Sequence, residues 1–192
     1  MPLKRNQFIP QNMLQIYTSA SGMTDLRTGL PYMAGGLMPG DYFDLTEAEA
    51  QALGYSLHSG RYRFVQIDAA AVAANVAQGR IGAMKSLAQG VNFITDFSQN
   101  IGGAAGLPRG VVFINNPTPA QILAGCYLFV QELGDASVLA SAAITAGAGL
   151  IVGAGGQVAT GTTINLYVGT ALAAAASGAL GRCILELPIV QG

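Results

Sequence analysis

Short apolar runs separated by polar and glycine-rich breaks dominate the second half of the chain. The runs are GVVFIN (110–115), CYLFVQEL (126–133), ASVLAS (136–141), GLIV (149–152), QVA (157–159), TINLYVG (163–169) and RCILELPIV (182–190). Gly, Ser, Thr and Asn lie between them, so that turn signals recur about every ten residues. Seven short strands spaced in this way predict a mainly β fold, either a small β-barrel or a β-sandwich.

The region before these runs predicts one further strand and contains one ambiguous segment. RYRFVQID (61–68) alternates and is rich in β-forming residues, which predicts the first strand of the main domain. Residues 69–88 are compatible with helix or strand, because their alanines favour a helix while Gly79 and Gly82 interrupt it. In LIVGAGGQV (150–158) the glycines permit a positive φ, which predicts a hairpin.

Two short helices are predicted from capping residues. TEAEAQALG (46–54) has Thr46 as a possible N-cap, Glu49 three residues later and Gly54 at the end, which is the spacing of a capping box. NPTPAQILAG (116–125) offers Thr118 as a cap, with Pro119 at the first helical position. Helices this short need tertiary packing to persist.

Residues 1–60 show no regular period and predict an extended N-terminal arm, followed by a β-rich domain over residues 61–192. Pro, Gly, Met, Tyr and polar residues alternate in the arm, a pattern that suits a segment lying on another surface. The arm begins MPLKRNQFIPQNM, in which no apolar region follows the basic residues, so no secretory signal is expected. Its candidate contact residues are the apolar and aromatic side chains Tyr32, Met33, Leu37, Met38, Tyr42 and Phe43.

The amount and placement of charge narrow the function classes. Hydrophobic residues make up 51% of the chain and charged residues 10%, against about 25% charged in an average soluble protein. This composition argues against disorder, and the net charge of −1 implies no basic face for nucleic acid. All but one of the nine Lys and Arg precede residue 110, and residues 136–181 carry no charge.

The uncharged region raises the possibility of a membrane helix, which its sequence disfavours. A spanning helix needs about 20 mostly apolar residues, but glycines cluster at 153–156 and polar residues interrupt the region at 160–165. VGTALAAAASGALGRCILEL (168–187) is therefore predicted as a strand, a turn and a closing strand. The alanines at 173–176 are also compatible with one helical turn.

The search for catalytic or metal-binding groups finds little. His58 is the sole histidine and lies in a predicted turn, so His-based catalysis and metal binding would have to rely on it. Cys126 and Cys183 lie outside any CxxC motif in apolar runs, which favours buried free thiols and leaves a disulfide open. GAGG and IGGAAG are not followed by the Lys of a phosphate-binding loop. No catalytic residue, cofactor or metal is predicted.

Three segments carry a family resemblance. They are RYRFVQIDAAAVAANVAQG (61–79), GCYLFVQELGDASVLASAAITAGAGLIVGAGGQVATG (125–161) and VGTALAAAASGALGRCILELP (168–188). The order of a small-residue strand, a TAG step, an AG-x-V hairpin and a closing VG-x-AL strand pair resembles the head decoration (cement) proteins of tailed bacteriophages. The resemblance covers residues 61–190.

The resemblance implies a non-enzymatic virion structural protein that binds the major capsid protein and stabilises the phage head. It implies a homo-oligomer, with a trimer favoured over a dimer, on the outer capsid surface after synthesis in the host cytoplasm. The arm residues listed above would then contact the capsid. Neither nucleic acid nor membrane is expected as a partner. The alternatives are another virion component, such as a head-fibre or tail structural protein, or a small β-barrel that binds a ligand.

Overall fold

The computed structural model describes residues 16–17, 41–52, 59–67, 71–83, 93–94, 108–113, 117–123, 125–161 and 167–187. Its strands are β1 (Tyr42–Leu45), β2 (Gly60–Ile67), β3 (Ile81–Ala83), β4 (Phe93–Ile94), β5 (Pro108–Val112), β6 (Tyr127–Leu139), β7 (Gly149–Val152), β8 (Val158–Thr160), β9 (Tyr167–Ala171) and β10 (Leu180–Glu186). Its helices are α1 (Glu47–Ala52) and α2 (Pro119–Leu123). The predicted mainly β fold with two short helices is confirmed.

All ten strands belong to one sheet, ordered β1-β2-β6-β10-β9-β7-β8 along its main path. β5 pairs with both β6 and β3, and β4 pairs with β2 in the parallel sense, whereas the other pairs are antiparallel. Of the two architectures predicted, the described part of the chain has the sandwich-like one, an open sheet rather than a closed barrel. An isolated bridge between Ala140 and Val158 brings β8 back beside the end of β6.

β6 joins two halves of the sheet, which we call the first half (β1 to β5 with the start of β6) and the second half (the end of β6 with β7 to β10). Its first part pairs with β2 and β5, and its second part, from Leu133 onward, pairs with β10. The prediction of two separate strands broken near Gly134 is wrong, because this glycine continues the strand at a φ of 97°. Gly60 of β2 lies opposite Gly134, and the absence of side chains lets the two backbones approach closely. The glycine therefore bends the strand without ending it.

Three buried clusters fill the two halves of the sheet. The aromatic cluster lies on β1, β2 and the start of β6 and contains Phe43, Leu45, Tyr62, Phe64, Tyr127 and Phe129. A first aliphatic cluster includes Val65, Ile67, Val112, Ile122, Leu128 and Val130. A second aliphatic cluster includes Val138, Ile144, Leu150, Val158, Val168, Cys183 and Leu185. Alternate side chains of β2 and β6 thus serve different cores, as expected of strands buried on both faces.

Both helices begin at the residues that the sequence predicts. The backbone N–H of Thr46 donates to Glu49 Oε2 at 2.8 Å, and the Glu49 N–H donates to Thr46 Oγ1 at 3.3 Å. This reciprocal bonding confirms the predicted capping box and lowers the pKa of Glu49. Thr118 and Gln121 form the same pair of bonds at the start of α2, with N–O distances of 2.8 and 3.3 Å.

The structure gives the secondary structure of three segments that the sequence left ambiguous or predicted as turns. Within 69–88, Ala73–Asn75 form a 3₁₀ turn and Ile81–Ala83 form β3. The β7–β8 hairpin is confirmed, with positive φ at Gly155 and Gly156. Residues 168–187 form a strand, a turn and a strand as predicted. Among the described helices, none is long and apolar enough to cross a membrane.

Parts of the predicted arm are packed against the sheet. β1 pairs with β2 over its whole length, and the side chains of Phe43 and Leu45 are buried. Tyr17 exchanges backbone hydrogen bonds with Tyr127, at N–O distances of 2.8 and 2.7 Å. Most of the first sixty residues lie outside the described part, so the division at residue 60 stays a prediction.

Replacing Gly134 by Ala tests the role of the bend in β6. A Cβ at this position would overlap the Ser59 carbonyl oxygen, and alanine rarely adopts the observed φ of 97°. We expect Gly134→Ala to lower the free energy of unfolding by about 3 kcal/mol in chemical denaturation. Gly153→Ala is the matched control, because Gly153 has an extended φ of −121° and its Cβ would make only an ordinary contact. Equal losses in both variants would contradict this role.

Candidate interaction surface

The solvent side of β10 and its two neighbours forms a continuous surface, which we call the outer face. β10 alternates strictly, with Gly181, Cys183 and Leu185 buried between exposed residues. The exposed set on β10 is Leu180, Arg182, Ile184 and Glu186. Because side chains paired across strands point to the same side, the register also places Asp135, Ser137 and Leu139 of β6 and Thr170 of β9 on this face.

The outer face carries a group of exposed aliphatic side chains. The backbone N–H of Leu172 donates to the Arg182 carbonyl oxygen at 2.8 Å, which extends the β9–β10 register and places Leu172 on this face. Leu172, Leu180 and Ile184 are 47%, 46% and 36% exposed, and they are three of the five large exposed hydrophobic residues in the described part of the chain. Grouped apolar exposure is typical of an interaction site, whereas isolated exposed hydrophobics are common on any surface.

The charged groups on the outer face are paired with polar neighbours. Arg182 forms an ion pair with Asp135 through two guanidinium nitrogens, and this hydrogen bonding raises the pKa of Arg182. The Tyr167 hydroxyl donates to Glu186 Oε2 at 3.1 Å and lies 2.9 Å from Thr170 Oγ1. A partner that covers this face would therefore meet charges that already have counter-charges or hydrogen-bond partners, which reduces the cost of desolvation.

A second polar cluster lies where β1 meets β2 and β6. The guanidinium carbons of Arg61 and Arg63 lie 4.5 and 5.5 Å from the centroid of the Tyr42 ring. Arg61 also donates to both carboxylate oxygens of Asp44, at 2.7 and 3.1 Å, which raises the pKa of Arg61. Arg63 Nε donates to Glu132 Oε1 at 2.6 Å. The contacts of Tyr42 and Asp44 attach the edge strand β1 to β2, and the Arg63–Glu132 pair joins β2 to β6.

Glu132 owes its position to an irregularity in β6. The register shifts between Arg61 and Tyr62, so that Glu132 is the extra residue of a β-bulge. The bulge turns its carboxylate toward Arg63, and the two side chains are only 8% and 15% exposed. We expect this buried ion pair to fix the relative position of β2 and β6.

The structure describes two of the six predicted contact residues of the arm, Tyr42 and Phe43. Phe43 is 7% exposed, and its ring packs against Phe129 with the centroids 5.7 Å apart. Tyr42 is half-buried beneath the two arginines. Tyr32, Met33, Leu37 and Met38 lie outside the described residues. The assignment of all six arm residues as capsid contacts stays a prediction. The packing of Phe43 leaves little of its ring for a partner.

Sequence reasoning missed the outer face as a site. The alternation in LGRCILE (180–186) was available as a signal, since it places Leu180 and Ile184 on the side of Arg182 and opposite Cys183. The sequence does not show that β6 and β9 flank this strand or that Leu172 joins the same face. Those facts depend on which strands pair.

The two cysteines are buried free thiols, as predicted, and they lie in different clusters. Burial raises the pKa of Cys126 to about 11 and that of Cys183 to about 12. His58 lies outside the described residues. Among the side chains that the structure describes, no group of three or more His, Cys, Asp or Glu could hold a metal ion.

The thiol pKa values predict slow thiol–disulfide exchange of the folded protein with an added disulfide reagent. Only a thiolate attacks, and a thiol with a pKa near 11 is ionised at pH 8 in about one molecule in a thousand. We expect a chromogenic disulfide reagent at pH 8 to label the native chain at least about a hundredfold more slowly than the chain in guanidinium, where both thiols react. Rapid labelling of either thiol in the native protein would show that its cluster is open to solvent.

The two ion pairs of β2 should differ in their contribution to stability. Glu132→Gln leaves the largely buried Arg63 without this carboxylate, and we expect a loss of about 2 kcal/mol or more. Asp44→Asn is the matched control, since Arg61 and Asp44 are 30% and 47% exposed and an exposed pair contributes less than about 1 kcal/mol. Urea denaturation of both variants measures the difference. An equal or smaller loss for Glu132→Gln would contradict the structural role of the bulge.

Comparison with known proteins gives no family assignment. No protein-family model matches the chain, and no curated protein matches it either. Among solved structures, the head fibre gp8.5 N base of bacteriophage phi29 aligns with 68% of this chain and 98% of that chain, at 14% sequence identity and a TM-score of 0.44. At this TM-score the likeness carries no inference about function.

Proposed function

We propose that the chain is a non-enzymatic structural protein of a bacteriophage virion, which binds the major capsid protein and stabilises the head. The observation that carries this proposal is the outer face, where exposed Leu172, Leu180 and Ile184 surround a paired Arg182. Such a surface suits contact with another protein, because apolar area is available and few unpaired charges need to be desolvated.

The family resemblance supports the same proposal through its position in the fold. Residues 61–79 are one of the three segments that resemble head decoration proteins, and residues 125–161 and 168–188 are the other two. The latter two contain β6 to β10, the half of the sheet that carries the outer face and the second aliphatic cluster. These two segments thus lie together in the fold and include the surface to which we assign the capsid contact, whereas residues 61–67 of the third segment lie on β2.

The contact energy of one copy need not be large. Removing apolar surface from water contributes about 25 cal/mol per Å², so three partly exposed aliphatic side chains supply a modest part of an interface. A capsid presents many equivalent sites, and a homo-oligomer would engage several of them at once. Linked contacts then raise the overall affinity without any single strong site. We therefore include a homo-oligomer, with a trimer favoured, in the proposal.

The proposed location is the outer capsid surface, and the arm would add a second contact. The arm residues 32–38 contain several of the predicted anchors. An extended segment can cover a large area of a neighbouring protein without a core of its own. In this arrangement the outer face fixes the orientation of the domain, and the arm extends the contact to adjacent capsid subunits.

Reconstitution on capsids tests the proposal. We expect purified protein added to phage heads that lack it to bind to a fixed number of copies per particle. We expect Ile184→Lys to weaken this binding at least about tenfold, because it places a charge in the apolar part of the outer face. Quantitative gels of sedimented particles give the copy number and the binding curve.

Leu123→Lys provides the matched control for this experiment. Leu123 is the most exposed large hydrophobic residue of the described part, at 75%, and it lies on α2 rather than on the outer face. The Leu123→Lys variant should bind like the unmodified protein. Absence of saturable binding by the unmodified protein would overturn the proposed function, whereas equal binding by both variants would remove the outer face from it.

A further inference from the structure

Two loops of the β6–β10 half are related by a shift of 31 residues. The segments are 140–149, ASAAITAGAG, and 171–180, ALAAAASGAL. The shift brings identical residues together at Ala140 and Ala171, Ala142 and Ala173, Ala143 and Ala174, Gly147 and Gly178, and Ala148 and Ala179. The equivalent glycines have nearly the same backbone conformation, with φ values of 78° and 77°. The two loops are therefore repeats in structure as well as in sequence.

The hydrogen bonds between the loops obey a two-fold relation. At the centre, Ile144 N donates to the Ala175 oxygen at 2.8 Å, and Ala175 N donates to the Ile144 oxygen at 3.1 Å. Around this pair, each of the backbone bonds between the loops has an equivalent with the loops exchanged. One outer pair runs from Gly147 N to Ala171 O (2.8 Å) and, with the loops exchanged, from Gly178 N to Ala140 O (2.8 Å). The other pair runs from Ala140 N to Ala179 O (3.0 Å) and from Ala171 N to Ala148 O (2.9 Å). The Ser177 hydroxyl adds one side-chain bond, to the Ser141 oxygen at 2.9 Å.

The strands at the ends of the loops are exchanged in the same way. β6 continues through the first loop into β7, but β6 pairs with β10 and β7 pairs with β9. The pair Leu139–Leu180 corresponds under the shift to the pair Thr170–Gly149. β6 and β7 do not pair with each other, whereas β9 and β10 also pair directly. The β6–β10 and β7–β9 pairs therefore join the two units to each other.

The centre of this arrangement is buried while its rim is exposed. Ile144 is 4% exposed and belongs to the second aliphatic cluster, against which Ala175 also packs. A Cβ at Gly181 would lie 2.9 Å from the Ala175 methyl group, so the second loop lies close to β10. The rim residues of both loops, such as Ala142 and Ala173, are exposed. Backbone hydrogen bonds and the buried packing of Ile144 and Ala175 therefore hold the loops in place.

We propose that the two loops form a clasp that locks β6, β7, β9 and β10 into one cooperative unit. Opening either loop breaks the central bonds of both, because Ile144 and Ala175 donate to each other. Releasing β10 from β6 or β9 from β7 also requires the loops to separate, since each loop joins strands from both pairs. The clasp makes local opening of this half unfavourable despite its exposed, glycine-containing loops. It is a property of the fold and holds whether or not the chain binds a capsid.

Hydrogen exchange of the full chain tests the clasp directly. We expect the amides of Ile144 and Ala175 to exchange at least about a thousandfold more slowly than in an unfolded peptide, with rates within about threefold of each other. The exposed rim amides of Ala142 and Ala173 should exchange close to the unfolded rate. Fast exchange at Ile144 or Ala175, or rates that differ widely between them, would overturn the proposal.

A glycine substitution in one loop tests whether the two loops open together. Gly147→Ala strains the first loop through its positive φ alone, because nothing lies within 4 Å of the added Cβ. We expect exchange at both Ile144 and Ala175 to speed up by the same factor, and Gly178→Ala to have the same effect from the other side. An increase confined to the substituted loop would show independent loops and refute the clasp. If a variant does not fold, the exchange rates of Ile144 and Ala175 in the unmodified chain still test the clasp.

Discussion

The structure depends on the close backbone contact between β2 and β6 at Gly60 and Gly134. This contact lets one thirteen-residue strand continue through a bend, so that β6 pairs with β2 in its first part and with β10 in its second. A side chain at either position would separate the strands and divide the sheet. Because β6 is continuous, the aromatic cluster and both aliphatic clusters pack on strands of one sheet.

The two halves of the sheet achieve stability by different means. The first half buries large aromatic rings, with Phe64 packed against Tyr127 and Phe129 at centroid distances of 5.9 and 5.0 Å. The buried cluster of the second half consists of Ala, Val, Leu, Ile and Cys side chains without an aromatic ring, and reciprocal backbone bonds join its two loops. This division accounts for the uncharged, small-residue sequence of the second half, in which loops must approach each other closely.

The same construction explains how a surface for a partner can coexist with a well-packed domain. β10 lies between two strands and has a buried inner side, so its outward residues are held in a fixed row. Leu180 and Ile184 remain exposed on that row, while Asp135 neutralises Arg182. A rigid apolar surface with paired charges loses little conformational entropy on binding, which is the property that a capsid-stabilising protein would need.

The sequence by itself determined the local structure, and the tertiary structure decided the rest. Thr46 and Thr118 identify the helix starts because capping acts over three residues. Short apolar runs between turn-forming residues identify most strands, because both signals are local in the sequence. The continuity of β6, the outer face and the reciprocal bonding of Ile144 and Ala175 were not predicted. They depend on pairing between segments far apart in the chain, and short apolar runs of similar composition do not specify which strand pairs with which.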